Sequence, residues 1–147
     1  MYLLDTNHCS KIIRGEPSLL NRLKESSLSS FSICAIVFGE LVFMAFNSEF
    51  HEANLEKVIS LCARLRCFPL DNGTAEIYGR LKAMLIEKIG PREILKRRSF
   101  KLQKLGIHDN DLWITSVAIQ HDLIILTTDS DFARIAEHAP VKSESWI

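Results

Sequence analysis

The sequence has few cysteines, no long apolar segment and no excess charge of either sign, and each absence excludes a class of protein. The four cysteines are scattered without a CxxC pair, which argues against a disulfide framework and against a zinc site. The longest apolar run, Ile33 to Phe46, contains Glu40 and falls short of the roughly 20 residues that cross a bilayer. Because 18 basic residues balance 18 acidic ones, a nucleic-acid partner would have to be bound through a local patch.

The remaining composition predicts a single cytoplasmic domain. With 147 residues, 47% of them hydrophobic and 24% charged, the chain can bury a core without metal or disulfide staples. Asp5 would interrupt the apolar part of a signal peptide, so the sequence predicts none. No repeat, low-complexity tract or linker divides the chain, and we expect one domain over residues 1–147.

Apolar strands alternate with helical patterns along the chain, which predicts an α/β fold with a mostly parallel sheet of about four to five strands. The predicted strands are Tyr2–Leu4, Phe31–Ile33, Cys67–Leu70, Leu123–Leu126 and a candidate edge strand at Pro140–Lys142.

One of the predicted helices, Ala35–Phe46, is apolar on nearly every side, so we expect it to be buried. Glu40 is its single charge. A carboxylate buried without a partner is strongly unfavourable, and Glu40 must therefore be neutral, paired with a basic residue or bound to a cation.

Four carboxylates are predicted to meet at one edge of the sheet. Asp5 and Asp129 follow predicted strands, Asp111 opens a helix, and Glu40 lies on the apolar helix. Since the carboxyl ends of parallel strands share an edge, these like charges would repel one another. A hard divalent cation resolves that conflict, and Mg²⁺ prefers carboxylate oxygens. The sequence therefore predicts a magnesium site.

Other roles remain open for each acid taken singly. Asp111 could be a helix cap, Asp129 a turn residue, and Glu40 one half of a salt bridge. Asp109 and Asp131 lie two residues away from Asp111 and Asp129 and could replace them as ligands. The five histidines lack zinc-site spacing and are predicted at surface or loop positions: His8, His51, His108, His121 and His138.

At these residues the chain resembles the PIN-domain ribonucleases, and more closely the VapC toxins of toxin–antitoxin pairs. The resemblance covers nearly the whole chain, and the motifs occur in the family's order and spacing. They are LLDTN at 3–7, ICAIVFGEL at 33–41, FPLDNGTAEIYGRLKAML at 68–85, NDLWITSVAI at 110–119, TTDSDF at 127–132, and an ending at 140–146 that includes a tryptophan.

The resemblance implies a PIN-like three-layer α/β/α domain and an endoribonuclease that depends on Mg²⁺, for which Mn²⁺ can substitute. It also implies RNA as substrate, inhibition by a cognate antitoxin and a homodimer. The catalytic and metal-binding residues would be Asp5, Glu40, Asp111 and Asp129. The polar residues expected to hydrogen-bond these carboxylates or to position water are Thr6, Asn7, Thr127 and Ser130, together with Asp109 and Asp131.

A basic segment at 92–104 is an insertion relative to the family pattern. It holds six basic residues and a single acid, and Leu95, Leu102 and Leu105 are predicted to form the inner face of an added helix. We expect RNA contacts from Arg97, Arg98 and Lys101. The alternative is a solvated helical face that only keeps the insertion soluble.

Two other functions compete with the nuclease. A haloacid-dehalogenase-like phosphohydrolase also begins with a strand that ends in aspartate, but it needs a second aspartate where this chain has Asn7. A catalytically idle domain that only binds RNA or protein is the second alternative. We expect the antitoxin and the second copy of the dimer to bind the apolar surfaces of helices near 9–24 and 51–66.

Overall fold

Five short parallel strands form the central sheet, in the order β3-β2-β1-β4-β5. A computed structural model describes residues 1–146. The strands are β1 (Tyr2–Leu4), β2 (Phe31–Cys34), β3 (Arg66–Phe68), β4 (Ile124–Leu126) and β5 (Lys142–Glu144). The predicted parallel α/β fold is confirmed, although β5 begins two residues later than Pro140, which lacks the N–H that a strand pair requires.

Eight α-helices connect and flank these strands within the described residues. They are α1 (Thr6–Ile13), α2 (Pro17–Glu25), α3 (Ala35–Phe46), α4 (His51–Cys62), α5 (Asn72–Ile89), α6 (Ile94–Arg97), α7 (Asp109–Gln120) and α8 (Ser130–Ala136). Short 3₁₀ turns occur at Leu28–Ser30 and Leu102–Leu105.

The direction in which the sheet grows reverses at β1. The chain moves from β1 to β2 and β3 on one side, then crosses over to β4 and β5 on the other. Because parallel crossovers are right-handed, the first connections place their helices on one face of the sheet and the later ones on the opposite face. The point between β1 and β4 is therefore a topological switch point, where such sheets form a ligand crevice.

Two hydrophobic clusters hold the layers together. In the larger one, Leu3, Ile33 and Ile125 lie on three neighbouring strands and are fully buried. The smaller cluster packs α5 against α7 and α8, and it includes Leu102 of the basic segment. Burying a leucine of this kind contributes roughly 1.5–3 kcal/mol, so Leu102 fixes that segment to the domain.

The expectation that α3 is buried on all sides is wrong. Val37 and Leu41 are in the core, but Phe43 is 67% exposed and Phe46 61% exposed. The exposed residues recur every three or four positions, at Ala35, Gly39, Phe43 and Phe46, so they form one face of the helix. The opposite face, which includes Val37, Leu41 and Ala45, packs into the core.

The basic segment is not one continuous helix. It forms the short α6 and then a 3₁₀ turn. Leu102 is buried and Leu105 half-buried, as predicted, but Leu95 is 78% exposed and does not belong to an inner face.

All four cysteines are free thiols. Cys9 and Cys34 are buried, and burial raises the pKa of the Cys34 thiol to about 11. Cys67 lies exposed on the edge strand β3. Within residues 1–146, no helix combines the length and the apolar character needed to span a membrane.

Candidate active site

The four predicted acids line one cleft at the switch point of the sheet. Asp5 directly follows β1, Asp129 follows β4, Asp111 lies in the first turn of α7, and Glu40 extends from α3. The cleft has a volume of about 280 Å³, and its other lining residues are Thr6, Asn7, Phe43, Met44, Ile114 and Phe132.

The carboxylate of Asp5 is held from two sides and is only 3% exposed. Its Oδ1 accepts a hydrogen bond of 2.8 Å from the backbone N–H of His8, so Asp5 caps α1. Its Oδ2 accepts a 2.6 Å hydrogen bond from the Thr127 hydroxyl at the end of β4. Capping and metal binding are thus compatible roles for this residue, because neither bond removes it from the cleft.

Glu40 is half-buried and has neutral partners. The Thr6 hydroxyl donates to one carboxylate oxygen, and the side-chain amide of Asn110 donates to the other at 2.6 Å. No lysine or arginine among residues 1–146 forms an ion pair with Glu40. The salt-bridge alternative is therefore not realised. Sequence reasoning did not single out Asn110, although it lies in the NDL motif beside Asp111.

Asp111 is half-buried and lies close to the negative charge of Asp129. Burial, and then the negative charge of Asp129, raise the pKa of Asp111 to about 6, although a hydrogen bond from the His108 backbone N–H opposes that shift. Asp129 caps α8 through a 2.9 Å bond from the backbone N–H of Asp131. Its own N–H donates to Thr127 at 2.9 Å.

The two flanking acids have other partners and do not line the cleft. Asp109 forms a 2.6 Å ion pair with Lys82 and accepts a 2.8 Å bond from the Tyr78 hydroxyl. The bond from Lys82 lowers the pKa of Asp109. Asp131 forms a 3.1 Å ion pair with Arg134. Asp111 rather than Asp109, and Asp129 rather than Asp131, therefore lines the cleft.

The polar residues predicted around the acids fall into two groups. Thr6 and Asn7 line the cleft, and Thr127 joins Asp5 to Asp129. Ser130, by contrast, is exposed in the first turn of α8 and is not a lining residue.

The prediction that every histidine is at the surface or in a loop is wrong for His8, which is fully buried. Its ring Nδ1 lies 3.3 Å from Oδ1 of Asp5. The reason is that α1 begins directly after β1, which turns the His8 side chain inward with Cys9 and Ile12. The signal in the sequence is the four-residue spacing of His8 and Ile12 on one helix face.

The donor set in the cleft suits a hard divalent cation. Four carboxylates line it, and none of its lining residues within the described chain is basic. Mg²⁺ and Mn²⁺ take such oxygen ligands. In the present side-chain orientations, no three Asp, Glu, His or Cys groups among residues 1–146 surround an ion position. Each of the four carboxylates accepts an intramolecular hydrogen bond and keeps further lone pairs for a cation.

Fold and cleft together define a class of protein: a parallel α/β domain with a carboxylate cluster at its switch point. Residues 2–138 match the PIN domain family, and the chain belongs to this family. The haloacid-dehalogenase-like alternative is thereby set aside.

Relatives of this chain include VapC ribonucleases. It is 26% identical over 150 residues to ribonuclease VapC2 of Haemophilus influenzae, covering 99% of this chain and 98% of that one. It is 30% identical over 93 residues to the tRNA(fMet)-specific endonuclease VapC of Salmonella typhimurium, covering 61% and 70%. The crystal structure of DNA-bound VapBC from Salmonella typhimurium superposes with a TM-score of 0.78 at 26% identity, covering 99% and 98%.

The pKa of about 6 predicts how the stability of the metal-free protein depends on pH. The folded state binds the Asp111 proton more tightly than the unfolded chain does, so the free energy of unfolding falls as the pH rises from about 4 through about 6. Asp111→Asn removes this loss of stability, because the asparagine side chain does not ionise. In EDTA at neutral pH we expect its Tm to exceed that of wild type by about 3 °C, or about 1 kcal/mol after allowance for solvent screening.

The matched control is Asp109→Asn, which breaks the ion pair with Lys82 and should lower the Tm instead. If both variants melt below wild type, the Asp111 carboxylate stabilises the fold and the electrostatic account of the cleft is incorrect.

Proposed function

We propose that this protein is a Mg²⁺-dependent endoribonuclease, in which Mn²⁺ can substitute, and that it acts in the cytoplasm as the toxin of a toxin–antitoxin pair. The observation that carries the proposal is the convergence of four carboxylates at the switch point with no basic residue lining the cleft. The names of the relatives as ribonucleases and as a tRNA endonuclease support it.

In this proposal Asp5, Glu40, Asp111 and Asp129 hold the metal. When bound, Mg²⁺ supplies positive charge that favours attack of water on the phosphodiester and stabilises the leaving oxygen. The protein contributes orientation. Thr127 fixes Asp5 relative to Asp129, while Thr6 and Asn110 fix Glu40.

The apolar residues of the cleft shape its wall. Ile114 and Phe132 are buried beside the acids, and the exposed Phe43 and Met44 form the outer rim. These side chains offer no competing ligand and limit water near the carboxylates, which strengthens the electrostatic interactions with a bound cation.

Asp5→Asn tests the metal site. We expect it to abolish cleavage of RNA in Mg²⁺, whereas the Tm of the metal-free protein stays the same or rises. Asparagine caps a helix as well as aspartate does, so the bond from the His8 N–H is kept while one repelling charge is lost. The measurements are RNA cleavage with Mg²⁺ and with excess EDTA, and thermal melting in EDTA.

Wild-type cleavage that persists in excess EDTA would refute the metal mechanism. RNA binding by the wild type without cleavage in either metal would favour the catalytically idle alternative.

The proposed partner is a cognate antitoxin, for which a groove beside the active site is available. The cleft shares Met44 with a depression that also contains Ile13, and Ile13 is shared in turn with a third depression along α4. The second and third depressions are lined by both α1 and α4, and together they form a groove that begins beside the cleft. Helix α2, which lies within the expected 9–24 region, contributes no lining residue, and its Leu19 is buried in the core.

Hydrogen exchange with and without the antitoxin tests this placement. We expect added protection in α1 and α4, and none in α2. Unchanged exchange in both α1 and α4 would exclude the groove. The proposal also includes a homodimer, for which the exposed Ile59 on α4 offers apolar surface, and sedimentation of the free protein measures that state.

RNA contacts are proposed for the basic segment, with unequal roles for its members. Arg97 donates to the carbonyl of Pro91 at 2.9 Å and lies 3.9 Å from Glu87, so most of its bonding capacity is used within the chain. Arg98 and Lys101 are exposed. We therefore assign the main phosphate contacts to Arg98 and Lys101.

The segment is fixed next to the active site. Gln103 donates a 2.9 Å bond to Asp109 in the first turn of α7, the turn that contains Asp111. Arg134 of α8 donates to the carbonyl of Leu105. Through Gln103 and the adjoining Leu105, the segment is thus connected to α7 and α8, the two helices near whose N-termini Asp111 and Asp129 lie.

Arg98→Gln with Lys101→Gln should weaken RNA binding without changing the Tm. Loss of two contacts to single-stranded RNA flattens the slope of log affinity against log salt by about 1.4. The control, Lys24→Gln with Lys142→Gln, removes the same charge at exposed positions elsewhere. Equal slopes for both variants would make the segment a solvated surface and nothing more.

A further inference from the structure

His8 is a buried polar residue in contact with a cleft acid, and its burial needs a physical explanation. Its side chain is fully buried, and its Nε2 has no hydrogen-bond partner among the described residues. A buried polar atom without a partner is unfavourable, and an apolar side chain at this position would avoid that cost. The fold alone therefore gives no reason for a histidine here.

The contact with Asp5 supplies a reason. Nδ1 lies 3.3 Å from Oδ1 of Asp5, the same oxygen that accepts the 2.8 Å bond from the His8 backbone. When Nδ1 carries the proton, the ring donates to the carboxylate. With Thr127 on Oδ2, the Asp5 carboxylate then has donors on both oxygens, from α1 and from β4.

We propose that His8 is a positioning residue that fixes the orientation of the Asp5 carboxylate toward the metal in the cleft. This inference rests on the proposed function. A carboxylate at the end of a strand can rotate about its Cβ–Cγ bond, and a second donor on Oδ1 restricts that rotation. Such outer hydrogen bonds orient metal ligands, and their loss typically costs 10–100-fold in metal affinity.

A packing role and a positioning role for His8 predict different effects of its replacement on protein stability and on metal binding. A residue kept for packing stabilises the fold, and its replacement destabilises the protein. A residue kept for positioning carries an unpaired Nε2 at the expense of stability, so an apolar replacement should preserve or raise stability while it weakens metal binding.

The test compares His8→Leu with His8→Asn, two side chains of nearly the same shape. Asparagine retains an N–H donor close to the position of Nδ1, and leucine has none. We expect His8→Leu to match or exceed the wild-type Tm in EDTA, but to bind Mn²⁺ roughly tenfold more weakly by calorimetric titration. His8→Asn should bind Mn²⁺ close to the wild-type affinity. In cleavage assays at fixed Mg²⁺, kcat should fall for the leucine variant while KM for RNA stays constant.

Three outcomes overturn the inference: wild-type Mn²⁺ affinity in His8→Leu, an equal loss in both variants, or a large loss of Tm in His8→Leu. Asp5→Asn separates this failure from failure of the proposed function. If the wild type binds Mn²⁺ and Asp5→Asn does not, the metal site stands whatever His8 does. If neither binds Mn²⁺, the proposed function itself fails.

Discussion

The repulsion between carboxylates at the switch point is the constraint on which the rest of the site depends. The reversal of strand order places Asp5 and Asp129 at the ends of neighbouring strands, and the first turn of α7 adds Asp111. Nothing basic within the described chain lines the cleft to offset these charges. Neutral donors hold the acids instead. Thr127 is central because its hydroxyl donates to the Asp5 carboxylate and accepts a hydrogen bond from the backbone N–H of Asp129.

The flanking acids have a different electrostatic environment from the acids that line the cleft. Asp109 is paired with Lys82, and Asp131 with Arg134, so each has a compensating charge. Asp111 has none, and burial together with the negative charge of Asp129 raises its pKa. Groups whose environment disfavours their charge are concentrated at functional sites, and this contrast between acids two residues apart supports the proposed role of Asp111.

The apolar character of α3 serves two surfaces. One side packs Val37 and Leu41 into the core, and the other leaves Phe43 and Met44 at the rim of the cleft, where Met44 also borders the groove along α1. Exposed apolar side chains next to a polar site are typical of a surface that contacts a partner. The same helix thus supports the fold, carries Glu40 and shapes the entrance to the site.

Local patterns in the sequence determined the elements of this protein. Short apolar runs ending in acids marked β1 and β4, and the alternation of strands with helices required a parallel sheet with its carboxyl ends at one edge. That reasoning pointed to Asp5 and Asp129 at strand ends, to Asp111 at a helix start and to Glu40 as the single charge of an apolar helix, and it left Asp109 and Asp131 open as alternatives.

Tertiary packing alone decided which neighbours share the cleft. Successive residues of a helix are rotated by about 100°, so Asp109 and Asp111 point in nearly opposite directions, and only the packing of α7 against α5 turns Asp111 to the cleft. The same holds for His8, whose burial depends on how α1 packs, and for Asn110, which reaches Glu40 on a distant helix. The sequence specifies which residues could serve, but contacts between elements far apart in the chain select those that do.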